Sequence, residues 1–279
     1  GEAMKRIASL LMLAARSTLW KAAGITLASC LTEAGLFLAA LSGWQDTVRT
    51  AYYEYSNPMG LEGLLMQYPL SWCFRIGLVL VCAVLAFLGW EGSSRVSYTL
   101  RRLSVGHRAL TLLWAGYGFF CLLFFWAAHL GTLLALCAAA LPRLAPEFSG
   151  PQALFLACYR DPYLHSLLPL DDCLLWVRNL SMCAALGTAA ASFSFQRRMG
   201  RRAFAILPLA ALSALCFPLP MGSFEFGGPA EFLRPYLYDG IFYSADGLPS
   251  VLGPVLLFVS LCALAASLCQ ILRRDPYEE

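Results

Sequence analysis

Glu33 and His129 are the two side chains whose type and setting most directly suggest chemistry. Each falls well inside a long apolar run, where an ionised group is costly unless it is paired or hydrated. A carboxylate and an imidazole together can act as a general acid–base pair. Either alone can serve as a polar contact in a transport pathway or as a paired group at a helix interface. The sequence leaves open whether the two meet. A second set, Arg75, Arg178, Asp171 and Asp172, falls at the ends of two apolar runs. It reads as an ion-pair network that orients helices.

The remaining candidates are sparse. Eleven cysteines are present, and no CxxC occurs. Cys30, Cys82, Cys121, Cys137, Cys183, Cys216, Cys262 and Cys269 lie in apolar runs, where cysteine packs as a small hydrophobe. No His or carboxylate stands at ligand spacing from them along the chain, so no metal site and no bound cofactor is expected. Cys158 and Cys173 fall on or near the outer side and could pair, but nothing fixes their geometry and two free thiols are the expectation. No G-x-x-x-x-G-K-[ST], H-E-x-x-H or G-x-S-x-G occurs. His107, His129 and His165 fall at three different depths, which argues against a haem or metal pair.

The elements that must position these residues are membrane spans. The chain is 59% hydrophobic and 13% charged, outside the range of soluble domains. Six runs approach the length needed to cross a hydrocarbon core of about 30 Å. They are Trp20–Ser42, Trp72–Trp90, Ala109–Leu141, Cys173–Phe195, Ala203–Leu219 and Ser250–Leu272. The expected fold is all-α, a single transmembrane domain over residues 4–279. Met4–Arg16 has Ile7, Leu10, Leu11 and Ala14 at helical spacing beside Lys5, Arg6 and Arg16. It is expected to lie as an amphipathic helix on the membrane surface, the alternative being a simple extension of the first span. The third run would form a helix of about 50 Å and must tilt, kink or project.

Basic residues fall on alternate loops. Lys5, Arg6, Arg16 and Lys21 precede the first span, and Arg95, Arg101, Arg102 and Arg108 follow the second. Arg197, Arg198, Arg201 and Arg202 follow the fourth, and Arg273 and Arg274 follow the sixth. The positive-inside rule then puts both termini in the cytoplasm of a multi-pass protein. The opposite loops are apolar and aromatic. Ala153–Tyr159 is expected to form an interfacial helix, and 220–249 is rich in Phe and Tyr. No basic surface for nucleic acid is present.

The inner loop Glu91–Arg108 alternates Val96, Tyr98, Leu100 and Leu103 with Arg95, Arg101 and Arg102. Such a loop can present an apolar and cationic surface to a cytoplasmic partner, or set topology and bind lipid headgroups. Tyr98-Thr-Leu-Arg-Arg-Leu-Ser-Val-Gly-His-Arg108, with Trp114-Ala-Gly-Tyr117 and Trp126-Ala-Ala-His129, resembles the permease subunits of ABC-2 type transporters of Gram-positive bacteria. The resemblance covers about thirty residues closely, and the remainder only in architecture. It implies an exporter permease in the bacterial cytoplasmic membrane, dimeric with an identical or homologous permease. ATP and Mg would be bound by a separate ATPase subunit. It further implies that Tyr98, Leu100, Arg101, Arg102 and Leu103 couple to that ATPase. An apolar or amphipathic cargo, a lipid or a peptide, fits the aromatic outer loops. Two other readings stand beside it: an intramembrane enzyme using Glu33 and His129, and a non-transporting scaffold subunit.

Overall fold

The structure, a computed structural model, describes residues 2–50, 60–66, 68–88, 107–144, 149–170, 172–198, 206–217 and 248–272. Among these residues every regular element is helical. In chain order they are α1 (Glu2–Thr50), α2 (Leu61–Met66), α3 (Ser71–Ala86), α4 (His107–Ala140), α5 (Ala153–Arg160), α6 (Pro162–Leu167), α7 (Cys173–Arg198), α8 (Ile206–Cys216) and α9 (Leu248–Leu272). Four of them, α1, α4, α7 and α9, are long and apolar enough to cross a membrane. The helices α3 and α8, of 16 and 11 residues, are apolar but shorter.

The N-terminal surface helix expected from the sequence is not a separate element. The backbone of α1 runs unbroken for 49 residues. No proline interrupts it, and Ser17 and Thr18, between the expected surface helix and the first span, both return their hydroxyls to the Ala14 carbonyl. Leu10 and Ala14 are buried, and the Trp114 indole on α4 donates to the Leu10 carbonyl at 3.4 Å. Packing against α4 therefore continues past Arg16 toward the N-terminus, and at about 1.5 Å per residue α1 is far longer than a bilayer is thick.

The ends of the other elements follow from local sequence. The second apolar run stops being helical at Ala86, short of the expected Trp90. A 3-10 turn over Leu141–Arg143, with Pro142 inside it, follows α4. Pro218 follows the last turn of α8, as the restriction on residues preceding proline leads one to expect. Asp161 and Pro162 start α6: the aspartate accepts the Leu164 N–H at 2.7 Å and the proline occupies the first turn.

Long-range contacts give the helix directions. Leu10 meets Trp114 and Ser29 meets His129, so α1 and α4 run parallel. Phe74 at the start of α3 stacks on Phe217 just past α8, while Leu88 after α3 accepts from Ser194 near the end of α7. Ser192 of α7 donates to Gln270 of α9. Thus α3, α7 and α9 share one direction, opposite to α8. Central in the bundle is α7, which packs against α3, α4, α8 and α9 and is the most buried of the four long helices.

Small residues make that central position achievable. Ala185, Ala189, Ala190 and Ala191 of α7 are buried, and Gly187 faces Gly118 of α4. A Cβ on Gly187 would stand 2.7 Å from the Phe119 backbone nitrogen. Close backbone approach of this kind is how apolar helices gain dispersion contact without a water-driven force. The outward faces carry large apolar side chains: Trp20 is 82% exposed, Phe120 68% and Phe258 69%. In water such faces would be a liability, whereas in lipid they are the proper exterior. The fold is that of an all-helical, membrane-embedded protein.

Candidate functional site

Glu33 and His129 meet. Both are fully buried, and the Glu33 Oε2 lies 2.8 Å from His129 Nδ1. The parallel pairing of α1 with α4 sets both residues at one depth. Gly77 of α3 permits this closeness, because a Cβ there would fall 2.9 Å from the Phe125 ring and 3.2 Å from Ser29 Cβ. Neither helix alone predicts the contact, since 96 residues separate the partners.

A third member comes from α6. The Tyr163 hydroxyl donates to Glu33 Oε1 at 2.8 Å. The signal for α6 is the Asp-Pro pair at 161–162, an N-cap followed by a first-turn proline. It was passed over within an outer segment read for the preceding stretch, Ala153–Tyr159. That stretch is indeed helical, as α5. Three anchors hold α6: Trp126 donates its indole N–H to the Leu167 carbonyl at 3.0 Å, Asn179 donates to the Ser166 carbonyl at 2.7 Å, and Tyr163 reaches Glu33.

Hydrogen counting favours one histidine tautomer, with the Ser29 hydroxyl as donor to a backbone carbonyl that can only accept. Ser29 spends its only hydroxyl hydrogen on the Thr26 carbonyl at 2.9 Å. Its oxygen is therefore the acceptor for His129 Nε2, also 2.9 Å away, and Nε2 carries hydrogen. On the other side, Nδ1 and Glu33 Oε2 stand at hydrogen-bond distance, and a carboxylate has no hydrogen of its own. One proton must lie between them, on oxygen or on nitrogen. Either way the pair is neutral overall, which suits its burial.

An aromatic wall closes the centre. Phe74 sits edge-on to His129 at 5.3 Å between centroids, Phe125 lies 4.6 Å from the same ring, and Phe217 stacks on Phe74 at 4.2 Å. Cys30, one helical turn before Glu33, adds its thiol from the same face of α1. Donor atoms of Cys30, Glu33 and His129 all lie within 4.8 Å of one another. The expectation of no metal-type cluster passed over the i, i+3 spacing of Cys30 and Glu33; His129 joins them only where α1 meets α4.

Of the residues expected to form an outer network, Arg75, Arg178 and Asp172 are described. Asp172 caps α7, its Oδ1 accepting from Leu174 N at 2.9 Å and Leu175 N at 3.1 Å. Arg178 is fully buried and donates to the Phe217 carbonyl at 2.7 Å and to Asn179 Oδ1. Arg75 lies over the Trp72 ring at 5.0 Å. Asp171 lies outside the described residues. Cys158 is buried, Cys173 is exposed, and both are free thiols. Tyr98, Leu100, Arg101, Arg102 and Leu103 also lie outside the described residues. No protein-family model, curated protein or solved structure matches the chain.

Proposed function

We propose that this chain is the permease subunit of an ATP-driven ABC exporter-like complex in a bacterial cytoplasmic membrane. The cargo class is lipid, peptide or another amphipath. In this reading α3 and α8 complete a six-span bundle whose helix directions alternate. The observation that carries it is where the helix ends gather. Leu88 after α3 meets Ser194 of α7, Gln270 of α9 meets Ser192, and the start of α4 lies beside the N-terminal part of α1. These ends flank the basic clusters, which supports a cytoplasmic face there. In sequence Tyr98–Leu103 falls between α3 and α4, and in this reading it is the segment that takes up a partner ATPase. Closure of two ATPase subunits would push on it, and α3 and α4 would carry the push to a second permease.

The sealed centre favours this reading over an enzyme. Both oxygens of Glu33 and both ring nitrogens of His129 are already engaged, and aromatic rings stand over them. A general acid–base pair needs one atom facing substrate. The test is affinity capture of the tagged chain from its native membrane, followed by mass spectrometry. A stoichiometric ATP-binding subunit is expected. Recovery of intact, abundant chain with no ATPase would overturn the permease reading in favour of a scaffold.

A further inference from the structure

We propose that Cys30, Glu33 and His129 form a binding site for one thiophilic divalent cation of the zinc class. The inference does not depend on the transport reading. It begins from donor chemistry. A thiol, a carboxylate oxygen and an imidazole nitrogen are the three ligand types that zinc takes most readily. Here one of each converges, all within 4.8 Å of one another. Glu33 Oε2 and His129 Nδ1, now 2.8 Å apart, would need to part by about 0.5 Å to share a tetrahedral ion with bonds of about 2.0–2.1 Å.

The supporting hydrogen bonds are a second, independent observation. A metal-bound histidine ordinarily donates its other ring N–H to a fixed acceptor, which sets tautomer and orientation. His129 does so already, through Nε2 to a Ser29 oxygen whose own hydrogen is committed elsewhere. Its Nδ1, the nitrogen facing the cluster, is the one that can present a lone pair. The carboxylate is held in the same manner, since Tyr163 donates to the oxygen that does not face His129.

Charge balance makes the exchange compatible with the bilayer interior. Before binding, the thiol is neutral and the Glu33–His129 pair with its shared proton is neutral. On binding, the thiol proton and the shared proton both leave. A dication, one thiolate, one carboxylate and one neutral imidazole again sum to zero. No net charge is buried in either state, and that removes the main cost of placing an ion at this depth. The cation would tie α1 to α4 through three bonds where a hydrogen bond now does so.

Cobalt(II) titration of the full-length chain in detergent tests the proposal. One equivalent is expected to bind, with a thiolate-to-cobalt charge-transfer band, tetrahedral visible bands, and about two protons released per ion. Zinc should displace it. Cys30→Ser leaves every other cysteine in place and should abolish the charge-transfer band, while Glu33→Gln should weaken binding at least about tenfold. A band that survives in Cys30→Ser, or no stoichiometric band in the wild-type chain, would overturn the site. Should the variants fail to fold, X-ray absorption at the zinc edge of the zinc-loaded wild-type chain decides: one sulfur at about 2.3 Å with nitrogen and oxygen at about 2.0–2.1 Å is expected, and a shell without sulfur rejects the proposal.

Discussion

The 2.8 Å contact between Glu33 Oε2 and His129 Nδ1 ties α1 to α4 at a depth where neither side chain can reach water. Removing one partner leaves the other buried without compensation. Glu33→Leu or His129→Leu should therefore each destabilise the folded chain by about 3–5 kcal/mol. The double Leu variant should recover much of that loss, because an apolar pair needs no compensation. Denaturant unfolding in detergent measures this, and a double variant as unstable as the sum of the singles would show that the two do not act as a pair.

Gly187 of α7 and Gly118 of α4 face each other at a close helix crossing. Gly187→Ala would set a methyl 2.7 Å from the Phe119 nitrogen and 3.0 Å from the Ala115 carbonyl, both backbone atoms that cannot swing aside. The two helices must separate, at a cost of about 1–3 kcal/mol. Gly118→Ala should be milder, since its nearest contact is 3.2 Å. Thermal stability in detergent should rank wild type, then Gly118→Ala, then Gly187→Ala; a reversed order would refute the crossing.

Asp161 gives the protein a pH dependence outside the long apolar helices. Burial raises its carboxyl to about 6 from the ordinary 3.8, and the Glu62 charge adds in the same direction despite the capping bond from Leu164. The protonated form is thus the one favoured by folding. Its contribution is fully present below about 3.8 and is lost as the pH rises through about 6. Asp161→Asn keeps a capping oxygen and cannot ionise. It should match wild type near pH 4 and exceed it at neutral pH by on the order of 2–3 kcal/mol. Unfolding measured across this range would contradict the account if the difference were independent of pH.

Arg101 and Arg102 carry the prediction specific to the proposed function. Their replacement by Glu should uncouple ATP hydrolysis from transport while leaving membrane insertion intact. Reconstituted complex would be assayed for both activities. Transport at the normal rate in Arg101→Glu/Arg102→Glu would remove the coupling role from the Tyr98–Leu103 segment.

The sequence alone determined the class of the protein. Long apolar runs can satisfy their backbone groups in lipid only as helices, so the all-helical, membrane-embedded character was legible from composition and run length. The bounds of α4, α7 and α9 also fall within a few residues of the runs that encode them, because apolar length and prolines are local signals. Glu33 and His129 were visible as misfits in apolar surroundings. What the sequence did not contain was their pairing: residues 96 apart become neighbours only when α1 and α4 run side by side at a particular register. The same holds for α1's continuation past Arg16, which depends on Leu10 and Ala14 finding a buried surface. Cys30 looked like a packed thiol, and nothing along the chain singled out Tyr163. Tertiary packing made them parts of one centre, because helix depth, rotation and the close approach at Gly77 are set by contacts between helices and not along them.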